Sequence, residues 1–178
     1  PTAPADETGP SLVGADIVRP YLSGGTTAAV VAGQIDSGLD IAHADFNHVW
    51  GVGWQFGGTG GAWNDPCEHG SHVAGTILGN GGNSPWLRGN APGLGWGGAG
   101  RFFNIKTSDA CSGWSFDFGA ATNTMHSSYW DGVSTTPRPH VVNNSWGSSG
   151  LNFKGTEADA RIIDDQVYTW AQLYVFAA

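Results

Sequence analysis

Four short apolar runs, Ala28 to Ile35, Arg101 to Lys106, Pro139 to Asn144 and Leu173 to Ala178, constrain the fold more than any other feature of the chain. The first two read as strands buried on both faces, and the others as a third and a fourth strand. Between them lie segments with helical spacing. His69 to Leu78 carries Val73, Ala74, Ile77 and Leu78 on one side; Ser115 to Trp130 carries Phe118, Ala121, Met125 and Tyr129; Glu157 to Trp170 opens with acidic residues. A strand followed by a helix cannot return through a tight hairpin. The chain must cross over, which lays the strands parallel and puts helices on the sheet faces. The expectation is an α/β fold with a mostly parallel sheet.

The 178 residues suit one domain, expected over 11–178 behind a Pro-rich, acidic tail at 1–10. A short helix is expected within 11–23. Hydrophobic residues make up 40% of the chain, enough for a core, while 29 glycines with 9 tryptophans and 12% charge describe a packed but loop-rich protein. Residues 47–63, with Trp50, Trp54, Phe56 and Trp63 among glycines, read as a hairpin or irregular loop, and 79–100 as a long surface loop. A net charge of -8 with only 7 Lys and Arg excludes a nucleic-acid surface, which needs clustered cations. No apolar run approaches the roughly 18 residues that a membrane span needs. The N-terminal residues suit a mature chain whose leader has been removed, or an exposed tail. Two cysteines, Cys67 and Cys111, permit one disulfide.

In a parallel sheet, functional groups gather beyond the carboxyl ends of the strands. Asp36 ends the first strand in an Asp-Ser-Gly turn, His69 opens a helix, and Ser145-Trp146-Gly147 ends the third strand. A buried Asp that fixes one nitrogen of an imidazole leaves the other nitrogen to take a proton from a serine hydroxyl, the chemistry of acyl transfer. Blander readings exist for each piece. Asp-Ser-Gly is a common turn. His69 and His72 at i, i+3 could ligate a metal with Glu68, Asp65 or His43 as a third ligand, although no recognised zinc spacing is present. Asn143-Asn144-Ser145 matches a glycosylation acceptor but ends a strand expected to be buried.

Taken in order, Asp36-Ser37-Gly38, His69-Gly-Ser-His-Val-Ala-Gly-Thr76 and Asn143-Asn-Ser-Trp-Gly147 resemble the subtilisin-like serine proteases, from about residue 12 to residue 178. The resemblance implies a subtilisin-like three-layer fold, incomplete in this chain, and a secreted endopeptidase, extracellular or at the cell surface. It makes Asp36 and His69 triad members, and it lays Ser112, Gly113, Ser145, Trp146 and Gly147 along an extended protein or peptide substrate. Trp114 or Phe116 would line an outer apolar pocket. It also brings the loops of Cys67 and Cys111 together as a disulfide. No cofactor is required for the chemistry. Structural calcium, common in such proteins, would draw on Asp40, Asp45 and the loop from Gly79 to Pro85.

After Gly147 the 178 residues hold no Gly-Thr-Ser segment to supply the nucleophile, and Tyr174-Val-Phe-Ala-Ala178 resembles the strand that the family follows with Gly-Asn, the oxyanion donor. The expected partner is therefore a C-terminal segment or chain carrying the serine and the Asn. It would also cover the hydrophobic edge that a sheet left at its fourth strand exposes. The rival reading is a non-catalytic, protease-like scaffold that binds a peptide or a partner.

Overall fold

The computed structural model describes residue 15 and residues 30–94, 102–127, 129–130, 135–136, 138–147 and 157–177. Among these, the strands and α-helices in chain order are β1 (Ala32–Asp36), β2 (Gly51–Gln55), α1 (His69–Leu78), β3 (Phe102–Lys106), α2 (Phe118–Met125), β4 (Tyr129–Trp130), β5 (Thr135–Thr136), β6 (Val141–Asn144), α3 (Ala158–Trp170) and β7 (Leu173–Phe176), with one 3-10 turn at Ala44–Phe46. Five strands form one parallel sheet in the order β2-β3-β1-β6-β7, and β4 pairs with β5 in a small antiparallel ribbon. The tail at 1–10 and, but for residue 15, the expected helix within 11–23 lie outside the described residues.

Burial on both faces follows from the alternation within each strand. Ile35 of β1, Phe103 and Ile105 of β3 and Val142 of β6 pack on one side with Ala121 and Met125 of α2. Ala32 of β1 and Phe102 of β3 pack on the other side with Ala74 and Leu78 of α1. Helices therefore cover both faces of a central sheet, giving three layers. β1 and β3, at its middle, are buried along their whole length, which is why each carries apolar residues on both faces.

Two elements differ from the sequence expectation. The segment 47–63 contributes neither a hairpin nor an irregular loop alone: Gly51–Gln55 joins the main sheet as edge strand β2, parallel to β3. Its glycines make room for Trp63. A Cβ at Gly53 would lie 2.7 Å from Ala62 Cβ and 2.9 Å from the indole, so the packing that makes this strand also erases its apolar pattern. The helix expected over 115–130 is confined to Phe118–Met125. Asp117 starts it by accepting the Ala120 N–H at 2.8 Å, and Ser127 ends it with a backbone bond to Thr124 O at 3.2 Å.

Candidate active site

Asp36 is the last residue of β1, and its side chain points to the α1 side of the sheet, fully buried. Its Oδ1 lies 2.7 Å from His69 Nδ1 and accepts the Ser37 N–H at 2.7 Å. Burial pushes the Asp36 carboxyl above its ordinary 3.8, while the hydrogen bonds from His69 and Ser37 and the charge of His69 pull it down. An ionised carboxylate only accepts hydrogen bonds, so the proton of this contact belongs on His69 Nδ1. The His69 side chain is 40% exposed, which leaves Nε2 as the nitrogen able to take a proton.

His69 owes its place to the way α1 begins. The preceding Glu68 is left-handed, with φ of 67°, and makes no side-chain cap. The free N–H groups of the first turn are met from elsewhere: Gly70 N donates to Ser37 Oγ at 2.9 Å, and Ser71 N donates to Asp65 Oδ2 at 2.8 Å. Asp65 also accepts the hydroxyls of Ser71 and Ser37, each at 2.7 Å. The turn after Asp36 and the start of α1 are thus fastened to one buried carboxylate. Gly70 permits their close approach, since a Cβ there would collide with Gly38 O. Sequence reasoning placed Asp65 only among third metal ligands. The signal for its actual place was an acidic residue shortly before a helix start whose own cap position holds no good capping residue.

Cys67, two residues before His69, is disulfide-bonded to Cys111, with Cα atoms 5.2 Å apart. Cys111 directly precedes Ser112 and Gly113, both exposed, the latter with φ of 72°. A second brace holds the same loop. Fully buried Lys106 lies 2.6 Å from Asp109 Oδ1, whose other oxygen takes the Thr59 hydroxyl at 2.7 Å; these partners hold the Asp109 carboxyl down at about 2.

Trp114 meets His69 edge-on at 6.1 Å between ring centroids and Trp146 at 6.2 Å, so Trp114 links His69 to the 145–147 segment. Trp146 is fixed by an Nε1–H bond to Ile35 O at 2.7 Å and by Phe116, Phe118 and Phe176 at 5.7–5.8 Å. Among the described residues, a Cβ at Gly147 would meet nothing within 4 Å. Ser145 Oγ accepts the Asn143 side-chain amide at 2.9 Å, and Asn143 is itself paired in β6. The acceptor Asn of the glycosylation-type triplet therefore sits in the sheet, with Ser145 just past the strand end.

His72 lines a cavity of about 770 Å3 whose walls do not include His69. Among the described residues, no group of three or more His, Cys, Asp or Glu is placed to hold a metal ion. Asp45 and the 79–85 loop do meet, with Asn83 N donating to Asp45 Oδ1 at 3.1 Å, and Asn80 Oδ1 nearby is buried with no hydrogen-bond partner among the described residues.

A three-layer parallel α/β fold with a carboxylate and an imidazole joined at its carboxyl edge is the architecture of subtilisin-like proteins. The chain belongs to the Subtilase family, whose sequence model matches residues 19–178. The crystal structure of MycP1 with its N-terminal propeptide removed resembles it with a TM-score of 0.60 and 16% identity, over 94% of this chain and 47% of that one. The psychrophilic subtilisin-like protease Apa1 from the Antarctic psychrotroph Pseudoalteromonas sp. AS-11 gives a TM-score of 0.52 and 27% identity, over 81% of this chain and 30% of that one. The chain thus spans less than half the length of either solved structure. No curated protein sequence matches it.

Proposed function

We propose that the protein is a serine endopeptidase in which Asp36 and His69 act on a serine supplied by a segment outside residues 1–178. The observation that carries this reading is the 2.7 Å contact between His69 Nδ1 and a fully buried Asp36. His69 Nε2 takes the serine proton as the serine oxygen adds to the substrate carbonyl. The proton then passes to the leaving amine as the C–N bond breaks, and water repeats the sequence to release the acyl group. Asp36 holds the ring and stabilises the imidazolium. The oxyanion Asn belongs to the same outside segment as the serine.

An extended peptide would run between Ser112-Gly113 and Ser145-Trp146-Gly147, pairing through its backbone. Trp114, Phe116 and Trp146 make the wall beside it apolar and aromatic. The open space at Gly147 suits a substrate side chain. Strand β7 supports an outside segment: Leu173, Val175 and Phe176 are 59%, 44% and 40% exposed on the last strand of the sheet. Apolar surface of this kind on a sheet edge calls for cover. A disulfide beside the site favours an extracellular or cell-surface protein, because cytosolic thiols are kept reduced. Asp45 and Asn80, oxygen donors suited to a hard cation, would help hold a structural calcium at the loop after α1, and no chemical step depends on it.

The test is hydrolysis of unstructured peptides by the full-length gene product and its His69→Ala variant. The proposal expects a loss of about 1000-fold or more in kcat. Peptide binding without cleavage by the unaltered protein would show a scaffold instead.

A further inference from the structure

Below the Asp36–His69 pair, β1 and β3 carry polar side chains where a buried parallel sheet ordinarily carries aliphatic ones. Gln34 stands in register with Asn104, and Asp36 with Lys106. All four are fully buried. Gln34 and Asp36, two residues apart on one strand, share the face toward α1.

The amide of Gln34 reaches both segments of the pair. Its Nε2 donates to Gly38 O at 3.1 Å, in the turn that follows Asp36, and to Gly70 O at 3.3 Å, the residue after His69. Its shortest bond, 2.9 Å, goes to Asn104 Oδ1, and two hydrogens are shared among these three acceptors. Asn104 Nδ2 donates to Ala62 O at 2.6 Å, and that carbonyl also takes Leu39 N at 3.1 Å. Ser37 and Asp65 hold the N–H groups of the first turn of α1, whereas Gln34 holds a carbonyl on each side of the gap. The junction is clamped from both directions.

Two buried amides are a costly way to fill a core, and Gln34 Oε1 has no hydrogen-bond partner among the described residues. An aliphatic residue at 34 would avoid that desolvation. We infer that Gln34, seated by Asn104, is a positioning residue that sets the spacing and orientation of Asp36 and His69. The inference rests on reading these two as a catalytic pair.

Gln34→Met keeps the length of the side chain and removes its donor. In the full-length protein the His69 Nδ1 proton is followed by proton NMR, where a proton shared with a carboxylate lies well downfield of ordinary amides. The expected result is an upfield shift of that resonance and exchange with water at least about tenfold faster. kcat should fall roughly 10- to 100-fold with KM changed less than twofold, as misplaced reacting groups predict. A purely structural role would lower the melting temperature and leave the resonance in place. An unchanged resonance and kcat in folded Gln34→Met overturns the inference. Should that variant not fold, Asn104→Ala, which unseats Gln34, is read in the same way, and an unchanged resonance again overturns it. The resonance can be measured whether or not peptides are cleaved. A Gln34-dependent resonance in a protein without peptidase activity would support the clamp and overturn the endopeptidase reading.

Discussion

Asp65 Oδ2 accepts both the backbone N–H of Ser71, at 2.8 Å, and its hydroxyl, at 2.7 Å, so the first turn of α1 rests on a side chain outside the helix. The same carboxylate holds Ser37, the neighbour of Asp36. Asp65→Ala should therefore destabilise the fold by about 1–2 kcal/mol, as loss of a helix cap does, and lower kcat as well. Urea unfolding beside peptide turnover checks this. A variant with unaltered midpoint and turnover would show that the cap is idle.

The disulfide ties the His69 helix to the loop that carries Ser112 and Gly113. It closes a separation of 44 residues, for which the expected contribution is about 2–4 kcal/mol. Replacing both Cys67 and Cys111 with Ser should cost stability in that range. It should also raise KM more than it lowers kcat, because the peptide-facing loop loosens while Asp36 and His69 keep their contact. Steady-state kinetics separate the two parameters. A fall in kcat alone would place the disulfide's effect on the pair instead.

Acid should release the other brace. Lys106 and Thr59 hold the Asp109 carboxyl at about 2, below its ordinary 3.8. Between those values the unfolded chain binds more protons than the folded one, so stability falls as pH falls. The contribution is complete above pH 3.8 and lost toward pH 2. Asp109→Asn should flatten this part of the stability profile, measured as urea midpoints across that window. Parallel profiles for the two proteins would contradict the brace.

Asp36 should behave in the opposite sense. Its folded carboxyl is raised by burial, so the folded state binds the extra proton, and its favourable contribution is lost as pH rises through the folded value. At neutral pH the ionised group is a burden on stability. Asp36→Asn is expected to melt no lower than the unaltered protein at pH 8 while losing about 10,000-fold in kcat through the wrong imidazole tautomer. A clear drop in melting temperature would mean that the charge is stabilising.

The contact between Asp36 and His69 and the Cys67–Cys111 disulfide were legible because the motifs around them carry the family resemblance that implies both. β1, β3 and β6 were legible because strands inside a sheet must be apolar over a short run, and β7, at the sheet edge, because its exposed positions are apolar as well. β2 was not, because its glycines take their meaning from Trp63, ten residues further on. Asp65 was not, because its partners, Ser37 and Ser71, lie on two different elements. Gln34 and Asn104 look like interruptions of apolar strands, and only the register across 70 positions shows that they interrupt them together.

The most direct test is mass-spectrometric mapping of the full-length protein after reaction with a serine-directed fluorophosphonate. The expected result is a single adduct on a serine outside residues 1–178, absent from the His69→Ala variant. No adduct, an adduct on a serine within these 178 residues, or equal labelling of His69→Ala would contradict the assignment of Asp36 and His69 as partners of that serine.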